Sequence, residues 1–199
     1  MNKKIAILGS SRADVFEAII NKLKNKTLIT CLSDNENSEI LKSANMLNIE
    51  NKYLPFENNS KFFAENKFDL IILTDYNNEL DEETLKLGNF INIHPSLLPA
   101  FKDENAIQKA FLAGVKVSGV TIYKISPNND KSIILAQYPV LIGLTTHIDE
   151  FEEEIYELEK ILYPPVINAL LNDKVFDFQD LFQNSCHKNC GGGCSSCQG

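Results

Sequence analysis

Asn92 and His94 stand two residues apart in Phe90-Ile91-Asn92-Ile93-His94, an apolar run that reads as a strand. Residues at that spacing project from one face of the strand. A carboxamide beside an imidazole can donate two hydrogen bonds to a negative charge growing on oxygen, which is what a reaction through a tetrahedral intermediate requires. Asp130 lies in the turn-rich segment Ser126-Pro127-Asn128-Asn129-Asp130 between two later strand candidates. Its carboxylate can keep the histidine protonated or move a proton through water. Taken alone, His94 has a plainer use, which is to cap loop carbonyls at the end of its strand. His147, in Thr145-Thr146-His147, reads as a surface residue.

A second group of reactive side chains closes the chain. Cys186, Cys190, Cys194 and Cys197 fall within the last fourteen residues, in the spacing C-x3-C-x3-C-x2-C, with His187 as a spare ligand. Four thiolates joined by flexible glycines can wrap a Zn²⁺ ion or an iron–sulfur cluster. The alternatives are a redox-active tail that binds metal only adventitiously, and a docking tag for a protein partner. The radical-SAM spacing of the last three cysteines is set aside, because the barrel those enzymes use is absent. In a reducing cytosol a disulfide framework is not expected there. Cys31, alone in an apolar run, reads as a small buried hydrophobe.

The elements around these residues follow an alternating pattern. Lys3 to Leu8 contains a continuous apolar run ending at Gly9, the signature of a strand buried on both faces. Phe16, Ile19, Ile20 and Leu23 then recur at helical spacing. Thr27 to Leu32, Phe68 to Thr74 and Phe90 to His94 are further strands, and Ile40, Leu41, Ala44 and Leu47 mark a second helix. Glu104 to Ala113 reads as a helix before Gly114. Two strands follow, Lys116 to Lys124 and Ser132 to Val140, and then a long helix, Asp149 to Leu171, which Pro164 and Pro165 should kink or interrupt. Strands alternating with helices imply an α/β protein, a Rossmann-like, mostly parallel central sheet with helices on both faces. Ligands of such sheets gather beyond the carboxyl ends of the strands, where His94 sits. Residues 1–183 form the expected domain, and 184–199 a tail rich in Cys, Gly and Ser.

Composition narrows the partners. A chain of 199 residues can bury about 70% of its unfolded surface. Its net charge of −8 argues against a nucleic-acid partner, which needs clustered Lys and Arg. The amino-terminal apolar run is too short for a signal peptide, and nothing approaches the roughly 20 apolar residues of a membrane span. A cytoplasmic protein acting on small molecules is expected. The oligomeric state is left open.

Phe90-Ile91-Asn92-Ile93-His94-Pro95-Ser96-Leu97-Leu98-Pro99 resembles the active-site strand and loop of the folate-dependent formyltransferases. Ala113 to Ile122, Ile133 to Gln137 and Pro139-Val140 are similar to the elements that follow there. Glu159-Lys160-Ile161-Leu162-Tyr163-Pro164-Pro165-Val166-Ile167 resembles the closing helix of the glycinamide ribonucleotide branch. The resemblance covers about residues 3 to 172, most densely from 89 to 140. It implies Asn92, His94 and Asp130 as the catalytic trio and 10-formyltetrahydrofolate as co-substrate. It further implies an amine acceptor, glycinamide ribonucleotide in purine biosynthesis or a related amine. A formyltetrahydrofolate hydrolase, with water replacing the amine, is the first alternative. The second is a non-catalytic metal- or ligand-binding protein reusing the fold. Methionyl-tRNA formyltransferase fits worse, since the Arg-Gly segment expected after Leu97-Leu98-Pro99 is missing.

The sequence also departs from the family pattern. The turn Gly9-Ser10-Ser11-Arg12-Ala13-Asp14 has one glycine where the family uses more. Ser10, Ser11 and Arg12 are the expected substrate-phosphate ligands, with Asp14 opposing them; the alternative is a plain strand-to-helix turn with a capping serine. After Phe68 to Thr74 comes Asp75-Tyr76-Asn77-Asn78-Glu79-Leu80, in which Asn78 replaces an expected arginine and Glu79 an apolar residue. Asn78 and Leu80 are the folate-side candidates. Lys131-Ser132 follow Asp130 where the family has glycines. Glu159 matches a family residue near the substrate, although it also reads as an ordinary glutamate on an acidic helix.

Overall fold

The computed structural model describes residues 3–23, 27–127 and 132–177. Asp130 and the four tail cysteines, together with His187, lie outside the described residues. Seven strands, β1 (Lys3–Leu8), β2 (Thr27–Ser33), β3 (Glu50–Tyr53), β4 (Leu70–Leu73), β5 (Phe90–His94), β6 (Val117–Lys124) and β7 (Ile133–Leu141), form one sheet in the order β3-β2-β1-β4-β5-β6-β7. The first five run parallel, and β6 and β7 are antiparallel. Strand order reverses between β1 and β4, so the crevice for a ligand opens beyond the carboxyl ends of those two strands, with that of β5 next to them.

Alternate residues of each buried strand feed two separate cores. Ile5, Ile7, Ile72, Ile91, Ile93, Val120 and Ile122 face one side. There they pack against helices α1 (Asp14–Leu23), α2 (Glu39–Met46), α5 (Ala106–Leu112) and α6 (Ile148–Leu171). Ala6, Leu8, Ile71, Leu73 and Phe90 face the other, against Phe63 of α3 (Asn59–Glu65) and Leu85 of α4 (Glu82–Leu85). The mostly parallel sheet with helices on both faces is therefore the architecture observed.

Several boundaries differ from the sequence reading for local reasons. α5 begins at Ala106 rather than Glu104, because Asn105 takes a left-handed φ of 58° and cannot continue a helix backwards. Phe68 leaves the strand to join an aromatic cluster with Phe62 and Phe63. β3 has only one apolar side chain, Tyr53, and α4 is a single turn capped by Asp81, whose carboxylate accepts from Thr84 N at 2.6 Å. Neither carries a periodic apolar signal. α6 runs without a break through Pro164 and Pro165, so interruption does not occur. Its buried face, Phe151, Ile155, Leu162, Tyr163, Val166 and Ile167, holds the helix together where two backbone donors are lost. Tyr163 also donates its hydroxyl to Leu73 O at 3.1 Å. Among the described residues no helix is long and apolar enough to cross a membrane.

Candidate active site

The loop leaving β5 is fixed by hydrogen bonds from two neighbouring strands. Thr121, on β6 directly opposite His94, donates its hydroxyl to Ser96 O at 2.6 Å and accepts from Leu98 N at 3.0 Å. Gln137 of β7 donates to Leu98 O at 2.8 Å and to Thr121 Oγ1 at 3.0 Å. Ser96 is fully buried and donates to Ala100 O at 2.6 Å. The Leu98–Pro99 peptide is cis. This network brings Phe101 O back to within 2.8 Å of His94 Nε2. A carbonyl can only accept, so Nε2 carries the ring proton in the neutral form. Nδ1 is then the atom left to take one.

His94 does cap a loop carbonyl, as its plainer reading expects, and it also faces the cleft. Burial lowers its pKa below the ordinary 6.5, partly offset by the Phe101 bond and the charge of Asp103. Burial thus favours a neutral ring at neutral pH. Asn92, two residues earlier, donates from Nδ2 to Tyr123 OH at 3.1 Å, while its Oδ1 accepts from Ile93 N at 2.8 Å. The amide is thus oriented at both ends, with one Nδ2–H free of these contacts.

Asn92 and His94 border a cleft of about 1090 Å³ over the carboxyl ends of β1, β4 and β5. Arg12, Asn78, Leu80 and Glu159 line the same cleft. Of the residues singled out from sequence, these six are brought together. Ser10 and Ser11 are not among them. Ser10 is buried and accepts from Asn77 N at 2.9 Å, tying the turn after β1 to the segment after β4. Ser11 donates to the Asp75 carboxylate and borders a smaller hollow with Asn35 and Ser38. His147 is exposed and precedes α6, where Glu150 accepts from its backbone N at 3.1 Å. Cys31 is buried, as expected. Among the described residues no cluster of His, Cys, Asp and Glu has the arrangement of a metal site.

Arg12 is heavily engaged. Its Nε and Nη2 donate to the two carboxylate oxygens of Asp14 at 3.2 and 3.0 Å, and its guanidinium lies 3.8 Å from the centre of the Tyr156 ring. Glu159 Oε2 is 3.7 Å from Nη2. Burial acts to lower the Arg12 pKa, but the Asp14 bond and the charges of Asp14, Glu159 and Asp75 outweigh it and raise the value. For Glu159, whose side chain is 9% exposed, burial wins over the pull of Arg12 and, with Asp14 and Asp75 adding to it, pushes the carboxyl up to about 8.

That shift has a consequence for stability. A carboxyl with a folded pKa of about 8, against an ordinary 4.5, holds its proton more tightly in the folded state. Its contribution to stability is therefore present at low pH and lost as pH rises from 4.5 through about 8. Glu159→Gln cannot ionise and escapes the loss. Thermal unfolding should show the variant gaining on the parent by several degrees between about pH 6 and pH 8.5. A difference that does not change with pH would place the Glu159 pKa near its ordinary value.

Four residues that the sequence reading did not single out for the site now matter. Tyr123 faces Asn92 through the antiparallel register, which no one-dimensional pattern reveals. Tyr156 meets Arg12 from a distant helix. Gln137 fixes the loop after β5 from β7. Asp75 had a usable signal, since it is the second residue past β4 at the reversal of strand order.

A carboxamide and an imidazole held over a cleft at a strand end have the donors that a group transfer through an oxyanion intermediate requires. The formyl transferase family matches residues 3–167, and the chain belongs to it. The phosphoribosylglycinamide formyltransferase of Bacillus subtilis is 33% identical over 187 residues, covering 85% of this chain and 95% of that protein. The crystal structure of glycinamide ribonucleotide transformylase 1 from Geobacillus kaustophilus superposes with a TM-score of 0.80 at 28% identity, covering 86% of this chain and all of that one. The mitochondrial formyltetrahydrofolate deformylase 2 of Arabidopsis thaliana is 29% identical over 172 residues, which is 79% of this chain but 52% of the plant protein. The chain is a formyltransferase-family enzyme.

Proposed function

We propose that the chain moves the formyl group of 10-formyltetrahydrofolate to a primary amine held in the cleft. Asn92 and His94 are its catalytic residues, with Asp130 as the third member. The observation that carries this reading is the juxtaposition of Asn92 and His94 on one wall of a cleft large enough for a folate. Asn78 and Leu80 lie on the donor side. Arg12 and Glu159 lie on the side of the acceptor.

The chemistry follows from the two side chains. The amine nitrogen attacks the formyl carbon, and the carbonyl oxygen takes the negative charge. The free Nδ2–H of Asn92 donates to that oxygen. His94, with Nε2–H fixed on Phe101 O, accepts the proton of the attacking amine at Nδ1 and becomes an imidazolium. Asp130 supports that charge and relays the proton through water to N10 of the folate as the N10–formyl bond breaks. The products are an N-formyl amine and tetrahydrofolate. Glycinamide ribonucleotide, the acceptor of the branch this sequence resembles, supplies the reference amine, and its use would put the reaction in purine biosynthesis.

A second reading, hydrolysis to formate, is favoured by the deformylase relative. Isotope-labelled formyl donor distinguishes the two. Label recovered on the amine by mass spectrometry supports transfer, and label recovered only as formate makes the chain a hydrolase.

We infer a cytoplasmic location as part of the same reading. The Cys186, Cys190, Cys194 and Cys197 spacing supports Zn²⁺ or iron–sulfur binding, or docking of a protein partner, outside the transfer chemistry. Metal analysis of the chain before and after all four cysteines are changed to serine decides the metal part, and no difference would end it.

A further inference from the structure

The turn after β1 is placed as an anion site and filled by the chain's own carboxylates. At the reversal point of a parallel sheet, the helix following the first strand points its free N–H groups into the crevice, and anionic ligands settle there. Here Asp75, held in a left-handed conformation with φ 51°, accepts from Arg12 N at 3.2 Å and from the Ser11 hydroxyl. Asp14, the first residue of α1, brings a second carboxylate to the same helix end.

Arg12 is the only arginine in the sequence, and so the only side chain able to grip a phosphate with a two-pronged fork. Asp14 already takes that fork through both Nε and Nη2, and Tyr156 covers its face. Glu159 is nine-tenths buried and lines the cleft. Its carboxyl makes no hydrogen bond among the described residues. Two carboxylates, Asp14 on the guanidinium and Asp75 on the Arg12 backbone N–H, therefore occupy the turn where a phosphate would have to lie. A phosphate monoester carries about 1.5 to 2 negative charges at neutral pH, and would have to displace Asp75 and Asp14 while resting against both. A hydroxyl or an ammonium group meets no such opposition, and can donate to Glu159 or Asp14.

We propose, resting on the formyl-transfer reading, that the preferred acceptor is an amine without a phosphate group, and that Asp14 and Asp75 are the residues that exclude the phosphate. Glycinamide ribonucleotide and its dephosphorylated riboside differ only in that group, so together they are the probes. With 10-formyltetrahydrofolate and the full chain, the riboside should show at least about a tenfold higher kcat/KM. Asp14→Asn and Asp75→Asn each remove one charge and keep the shape, and Asn tolerates the left-handed conformation at position 75. Each should shift the ratio toward the ribonucleotide by about tenfold. Calorimetric binding of both probes should give the same ranking. Equal or better use of the ribonucleotide by the parent chain, or ratios unchanged in both variants, overturns the proposal. If neither probe is formylated but the riboside still binds more tightly, the transfer reading fails and the acceptor class stands. If neither binds, the acceptor class fails, whatever becomes of the donor.

Discussion

His94→Ala should lower turnover at least a hundredfold without unfolding the chain. The imidazole is half-buried at the mouth of β5, and its one hydrogen bond among the described residues is to Phe101 O. Removing it leaves that carbonyl at a cleft open to water, so the cost to the fold is small. The cost to the reaction is not. A lost proton acceptor slows reaction by roughly 10² to 10⁴. The effect should fall on kcat rather than KM, because the ring interacts with charge that exists only as the intermediate forms. Matching thermal unfolding curves for parent and variant would confirm that the fold is intact. Near-normal turnover would remove His94 from the chemistry.

The second large effect is on the fold, at Gly119. This residue faces Pro139 across the β6–β7 pairing. A Cβ there would sit 2.0 Å from Tyr138 O, 3.0 Å from Pro139 Cα and 2.9 Å from Leu97 Cδ2. Two of those atoms are backbone of the neighbouring strand and cannot step aside, so Gly119→Ala must spread β6 from β7. The third belongs to the loop that carries Ser96 and Leu98, so the damage should reach the active site as well. Overpacking of this kind costs on the order of 3 kcal/mol or more, a large part of the roughly 5–15 kcal/mol that holds a domain folded. A fall in Tm of about 10 °C, or loss of soluble protein, is expected. Gly114→Ala is the comparison. Gly114 has φ 67° but open space around its Cβ position, so the change costs only backbone strain, about 1–2 kcal/mol. Equal Tm values for the two variants would contradict this account of Gly119.

Much of this was legible in the sequence because it follows from local patterns. The apolar runs at Lys3 to Leu8 and Phe90 to His94 mark strands buried on both faces, and both lie in the sheet interior. The spacing of Asn92 and His94 places them on one face, and both line the cleft. Elements without apolar periodicity, such as the polar β3 and the one-turn α4, were not legible. The uninterrupted α6 was missed because tertiary packing overrides the local penalty of Pro164 and Pro165. The turn after β1 was half-read. Its serines and arginine suggested an anion site, and Asp14 warned against it. The second carboxylate, Asp75, lies 61 residues beyond Asp14 and reaches the turn only through the parallel pairing of β1 with β4. Ser10 and Ser11 likewise find partners in that distant segment, Asn77 and Asp75, which charge and spacing alone do not disclose.

The central claim is that Asn92 and His94 serve the movement of a formyl group to an amine. The most direct test follows the absorbance of 10-formyltetrahydrofolate with the full chain, as glycinamide riboside or glycinamide ribonucleotide is raised from zero. Donor consumption should be negligible without amine and should rise to a plateau with it. Consumption at the same rate with no amine present, or none at any concentration of either amine, would contradict the account.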